Sequence, residues 1–130
     1  MPSSTKISTL IEEADRQRLQ ARFFQTEAGR EPVREWIKSF DRPDMLSIGN
    51  AIAEVQWGWP IGMPLVRKLD TDLWEVRFNI SDKRIARVLF TILDEEMLLL
   101  HGFVKKSQET PPEELKTAKK RLKQAQKGYL

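Results

Sequence analysis

Four side chains of this chain have the types needed to move protons or hold negative charge in a shared site: Arg77, Arg87, His101 and Lys105. His101 is the single histidine, and an imidazole with an ordinary pKa near about 6.5 carries protons at neutral pH. Arginine does not readily lose a proton, so Arg77 and Arg87 are suited to clamp a charged transition state rather than to transfer hydrogen. Lys105 could act as a base if neighbouring cations lowered its pKa. The rest of the composition narrows the alternatives. With no cysteine there is no disulfide, thiolate zinc site or cysteine nucleophile, and one histidine excludes paired-histidine metal motifs. The sequence contains no P-loop, glycine-rich dinucleotide motif or Ser/His/Asp arrangement. Asp94, Glu95 and Glu96 offer oxygen ligands, but three acids at a hairpin tip read as a solvated turn. The expectation is chemistry with no metal and no cofactor.

Those residues can meet only if strands hold them in phase. From Leu73 to Ile80 the pattern has period two, with Trp74, Val76, Phe78 and Ile80 on one side and Glu75, Arg77 and Asn79 on the other. Ser81-Asp82-Lys83 makes a turn, and Arg84 to Leu93 continues as a second strand with Ala86, Val88, Phe90 and Ile92 together. Asp94-Glu95 turns into a third strand, Met97 to Lys105, and a shorter one precedes them at about Leu65 to Leu69. Such short turns require antiparallel neighbours, hence a meander. If one face packs on helices and the other is open, Arg77 and Arg87 point to the open side. Placing His101 and Lys105 in water then selects Met97, Leu99, His101, Phe103 and Lys105 as the outward set of the third strand. Arg67 or Lys68 and Arg84 extend the patch, in which Glu75 is the one acid. Cations beside the ring of Phe103 and an imidazole suit RNA, whose phosphates need neutralising and whose bases stack on aromatic or guanidinium planes.

The helices come from the 3.6-residue period. Pro32 suits a first turn, and Val33, Trp36, Ile37 and Phe40 face one way, predicting a helix over about 31–40. Asp41 is the N-cap of a second, in which Met45, Ile48, Ile52 and Val55 recur and which Gly58 stops. The short connection makes the two a hairpin that can cover a sheet. Thr110-Pro111-Pro112-Glu113 reads as a capping box opening a last helix, with Leu115, Ala118, Leu122 and Ala125 as its buried stripe and Lys, Arg and Gln elsewhere. A short strand lies within Leu19 to Thr26, and Ile7, Leu10, Ile11 and Ala14 outline an amphipathic helix before it. The fold class is α+β: an antiparallel meander with a helical hairpin on one face and a basic C-terminal helix. Residues 1–18 form an extension and 19–130 one domain, the size at which a single core is the norm.

Net charge is +3, but from Lys105 onward eight Lys or Arg face three Glu, a local excess that suits a phosphate-rich or acidic partner. No stretch has the roughly 18 apolar residues of a membrane span, and the amino terminus is too polar for a signal peptide. A cytoplasmic protein is the expectation.

The stretches Leu73-Trp74-Glu75-Val76-Arg77, Arg84-Ile85-Ala86-Arg87-Val88-Leu89 and Leu99 to Pro111 resemble the RelE/ParE superfamily of type II toxins, and the phage-derived HigB-like branch in particular. Pro32-Val33-Arg34-Glu35-Trp36 and Trp59-Pro60-Ile61-Gly62 fit the same branch, so the resemblance spans about residues 20–126. It implies a RelE-like fold and an mRNA endonuclease, in many members acting only on the translating ribosome, that is held inactive by an antitoxin with a helix-turn-helix domain. Arg77, Arg87, His101 and Lys105 stand where the family motif carries basic residues, with Arg84, Arg67 and Lys106 as further candidates. The sequence lacks the tyrosine that some RelE relatives carry near the end of the sheet: Tyr129, the single tyrosine, lies beyond the last helix. Two other readings stay open. One is a ParE-like toxin that inhibits a protein target such as DNA gyrase without cutting, and the other is a relic that binds RNA alone.

Overall fold

In the computed structural model, residues 18–105 and 109–128 are described, with the Lys105 side chain excepted. The expected N-terminal helix, Lys106 and Tyr129 lie outside the described residues. The elements run β1 (Gln20–Phe23), α1 (Pro32–Lys38), α2 (Arg42–Gly58), β2 (Val66–Asp70), β3 (Leu73–Ile80), β4 (Arg84–Leu93), β5 (Glu96–Lys105) and α3 (Pro112–Gln126). The class is α+β, as the periodicities require. The sheet order is β1-β5-β4-β3-β2. β2 to β5 form the antiparallel meander, but β1 pairs in parallel with β5, so the sheet is mixed rather than purely antiparallel. A parallel neighbour needs a long crossover, and α1 with α2 lies in the chain between β1 and the meander.

The helical hairpin covers one face. Val33, Ile48, Ala51, Ile52 and Val55 bury themselves against Val76, Ile80, Ala86, Val88 and Phe90, with Trp36, Trp59 and Trp74 at the margin. Trp59 meets Trp74 and Phe90 edge-on at 5.1 and 5.7 Å between ring centres. Trp36 lies over Gly102, where a β-carbon would stand inside the indole ring. A glycine is therefore what lets α1 approach β5.

The opposite face is not open. α3 crosses it, and Ala118, Leu122 and Ala125 bury Leu73, Leu89, Leu98, Leu100 and Phe103, joined by Phe24. The reason is in β4, whose Val88-Leu89-Phe90 run is apolar on both sides, the mark of a strand covered twice. Leaving that second apolar face wet would cost about 25 cal/mol for each Å².

β5 departs from simple alternation. Leu89 pairs with His101 but Phe90 with Leu99, so Leu100 is an extra residue in a β-bulge. Met97 and Leu99 consequently lie with the helical-hairpin core rather than outward, while Leu98 and Leu100 join the α3 side. Beyond the bulge the expected phase is restored for Phe103.

Of the two expected caps, one residue is in place and the other is not. Asp41 occupies the N-cap of α2 without a capping side-chain bond. Thr110 is not the cap of α3: Pro111 holds that place with Pro112 inside the first turn, and the Thr110 hydroxyl donates instead to the Glu75 carboxylate. Asp44, buried at the start of α2, accepts from Ser81 N at 2.9 Å and Ser81 Oγ at 2.7 Å, which pins the helix to the β3–β4 turn.

Gly102→Ala forces the Trp36 indole to move within a packed core, a destabilisation of about 1–3 kcal/mol for such overpacking. Chemical denaturation followed by tryptophan fluorescence measures it, and an unchanged midpoint would contradict the described contact.

Candidate functional site

The sheet register draws the candidate residues into one line on the α3 side. Arg67 pairs with Glu75, Arg77 with Arg87, Arg87 with Phe103, and Leu89 with His101. Directly opposed residues share a face. Three arginines on three adjacent strands thus surround one carboxylate, and a ring and an imidazole continue the line on the fourth.

Burial makes this cluster unusual. Arg87 and Glu75 are each 0% exposed, whereas the Arg77 side chain keeps 18% of its surface. A buried charge is tolerable only when opposed. Glu75 supplies the opposition: its Oε1 stands 3.7 Å from Arg77 Nε, and its Oε2 receives the Thr110 hydroxyl. Burial pushes the Arg87 guanidinium below the ordinary arginine range, Glu75 pulls it back up, and Arg77 and Arg67 push it down. The ring of Phe103, itself buried, lies 5.9 Å from the Arg87 guanidinium carbon and 5.8 Å from the His101 ring, nearly parallel to it at 27°. It is a spacer between cation and imidazole, not the open stacking platform anticipated for RNA.

His101 is held by α3 on both nitrogens. Nε2 is 3.1 Å from Glu114 Oε2, and Nδ1 is 3.3 Å from Arg121 Nη1, which also donates to the Leu100 carbonyl at 2.8 Å. A guanidinium has only hydrogens to offer, so Nδ1 is the bare nitrogen and the Nε2 hydrogen points at Glu114. Burial lowers the His101 pKa, Glu114 raises it, and Arg121 lowers it, for a net value below the usual histidine range. The ring is a neutral acceptor whose lone pair faces Arg121. Nδ1 is open to another proton only when that guanidinium withdraws.

Not every anticipated residue joins the line. Lys68 pairs with Trp74 on the other face, its Nζ 5.7 Å from the Trp74 ring. Arg84 is opposite Ile80, bonded to Asp44 at 2.8 Å and the Ser81 hydroxyl at 2.9 Å, and it lies over Phe40. Alternation puts both a step out of phase with Arg67, Arg77 and Arg87. The Lys105 backbone pairs with Ile85. The Lys105 side chain and Lys106 lie outside the described residues. Sequence reasoning missed Thr110, Glu114 and Arg121 as site residues. Glu114 and Arg121 are seven residues apart and so share one flank of α3, a signal that carries meaning only once the helix is known to cross this face.

A family model described as "Phage derived protein Gp49-like (DUF891)" matches residues 35–123, a span that holds every member of the line from Arg67 to Arg121. No curated protein matches the chain.

The single imidazole makes its titration easy to follow by proton NMR. Its midpoint falls below about 6.5, Glu114→Gln lowers it further, and Arg121→Gln raises it. Because the folded value is depressed, the contribution of His101 to stability is complete above the unfolded pKa and is lost as pH falls through the folded one. A midpoint above the ordinary value, or one that neither variant moves, would refute the arrangement.

Proposed function

The chain belongs to the Gp49-like family of phage-derived proteins, and on that footing we propose that it is the toxin of a type II toxin–antitoxin pair, a metal-independent endonuclease of messenger RNA. The resemblance to RelE and HigB-like toxins supports this reading. So does one observation above the others: Arg67, Arg77 and Arg87 converge around Glu75 at one end of a line that ends in His101.

The reaction has three needs. A base removes the proton of a ribose 2′-hydroxyl, the freed oxygen attacks the adjacent phosphorus, and the 5′-oxygen leaves with a proton, giving a cyclic phosphate and a 5′-hydroxyl end. Arg77, the partly exposed guanidinium, contacts the phosphoryl oxygens as charge builds on them. Arg87 lies beneath and adds its field through a weakly screening interior. Glu75 fixes the direction of Arg77 and keeps the buried cation tolerable. His101, once Arg121 is drawn off by substrate phosphate, presents Nδ1 as the base. On the ribosome, the bound messenger would supply the alignment that a protein site of this size lacks. The partner that holds the toxin inactive is a helix-turn-helix antitoxin.

The capped imidazole favours a second reading. A ParE-like inhibitor that binds a protein such as DNA gyrase needs the cationic surface but no proton carrier.

Induction in a bacterial host arrests growth, and mapping of mRNA 5′ ends finds new internal ends with 5′-hydroxyl groups. Arg77→Ala lowers cleavage by about 10²–10³-fold, the usual cost of one transition-state donor, with the circular dichroism spectrum unchanged. Arrest without new ends would reject the nuclease and favour the second reading.

A further inference from the structure

α3 has a third face, turned away from both the sheet and the His101 contacts. Lys116, Lys120, Lys123 and Lys127 follow one another at intervals of four, three and four residues, so all four lie on a single stripe of the helix. All four are exposed. Among the described residues the neighbouring Lys119 is bound to Asp70 at 2.7 Å, whereas no ion pair engages the stripe itself. No Asp or Glu occurs after Glu114. A solvated helix ordinarily alternates signs, because like charges four residues apart work against the helix. Here 116/120, 119/123 and 123/127 are all Lys–Lys pairs. Their repulsion is a cost that an anionic occupant would remove. The stripe also borders a shallow hollow lined by Pro112, Leu115, Lys116, Lys119, Lys120 and Lys123. That hollow sets apolar surface beside the ammonium groups, as a strand of sugars and bases between phosphates requires.

We infer that this stripe is a track for the phosphates of a single RNA strand leading away from the arginine cluster. The inference rests on the RNA reading given above and adds to it a binding surface outside the reacting site. Continuity supports it: Thr110, two residues before α3 begins, is hydrogen-bonded to Glu75 inside the cluster. The helix therefore starts where the strand would leave. The eleven steps from Lys116 to Lys127 rise about 16 Å at about 1.5 Å each, the length of about five nucleotide steps at about 3.4 Å per step.

The test compares the full chain with a variant carrying Lys116→Gln, Lys120→Gln, Lys123→Gln and Lys127→Gln. The probes are 2′-O-methyl RNA, which lacks the attacking hydroxyl, as a 20-mer and as a 4-mer. For the 20-mer the slope of log affinity against log salt flattens by about 2–3, from about 0.7 per phosphate contact on a single strand, and affinity at low salt falls at least about tenfold. Binding of the 4-mer is unchanged, and the helical signal and melting temperature do not fall. An unchanged slope for the 20-mer, with Arg77→Ala still weakening both probes, would leave the lysines as a solvated face and overturn the track alone. If neither probe binds the unaltered protein in a salt-dependent way, the RNA reading itself fails, and the track with it.

Discussion

The mutual attraction of two buried opposite charges, Glu75 on β3 and Arg87 on β4, is the constraint to which the other features of this molecule answer. Neither side chain has any surface in contact with solvent. Each would be costly alone in a medium that screens poorly. Together, and with Arg77 at the rim, they permit a concentration of positive charge on the inside of a sheet. Such a concentration acts on a neighbouring anion more strongly than the same charges spread over a wet surface.

Beside those two side chains α3 packs on the same face of the sheet, and it has three distinct jobs on three faces. Ala118, Leu122 and Ala125 complete the second apolar layer. Glu114 and Arg121 fix the imidazole of His101 between them. The lysines face solvent. A single helix thus links the stability of the core to the protonation state of the one imidazole, because anything that shifts Arg121 changes both what His101 can accept and how the helix sits. The bulge at Leu100 belongs to the same design. The extra residue places Leu100 and His101 on one side of β5 in succession, so the strand gives α3 an apolar contact and a polar one at adjacent positions.

Much of this was legible in the residues. The β3 and β4 boundaries follow from period-two alternation between Ser81-Asp82-Lys83 and Asp94-Glu95, and the four left-handed residues at Asp82, Lys83, Asp94 and Glu95 show how tightly those turns close. Arg77 and Arg87 stand side by side because alternation is a local rule that holds wherever pairing is regular. It fails where pairing is irregular: a bulge is set by how two strands accommodate one another and by what packs on each, so alternation counted back through the bulge puts Met97 and Leu99 on the wrong side.

The sequence alone determined the elements, the strand phase of the arginines and the basic character of the last helix, since each depends on neighbours within a few positions. Tertiary structure decided where that helix lies. Its apolar stripe fits either face of a sheet equally well as a pattern, and only the unfilled Leu73, Leu89 and Phe103 surface selects one. That choice turned an apparently open cationic face into a covered one with a guarded imidazole, because burial and long-range pairing are properties of distant residues brought together and leave no periodic trace in the chain.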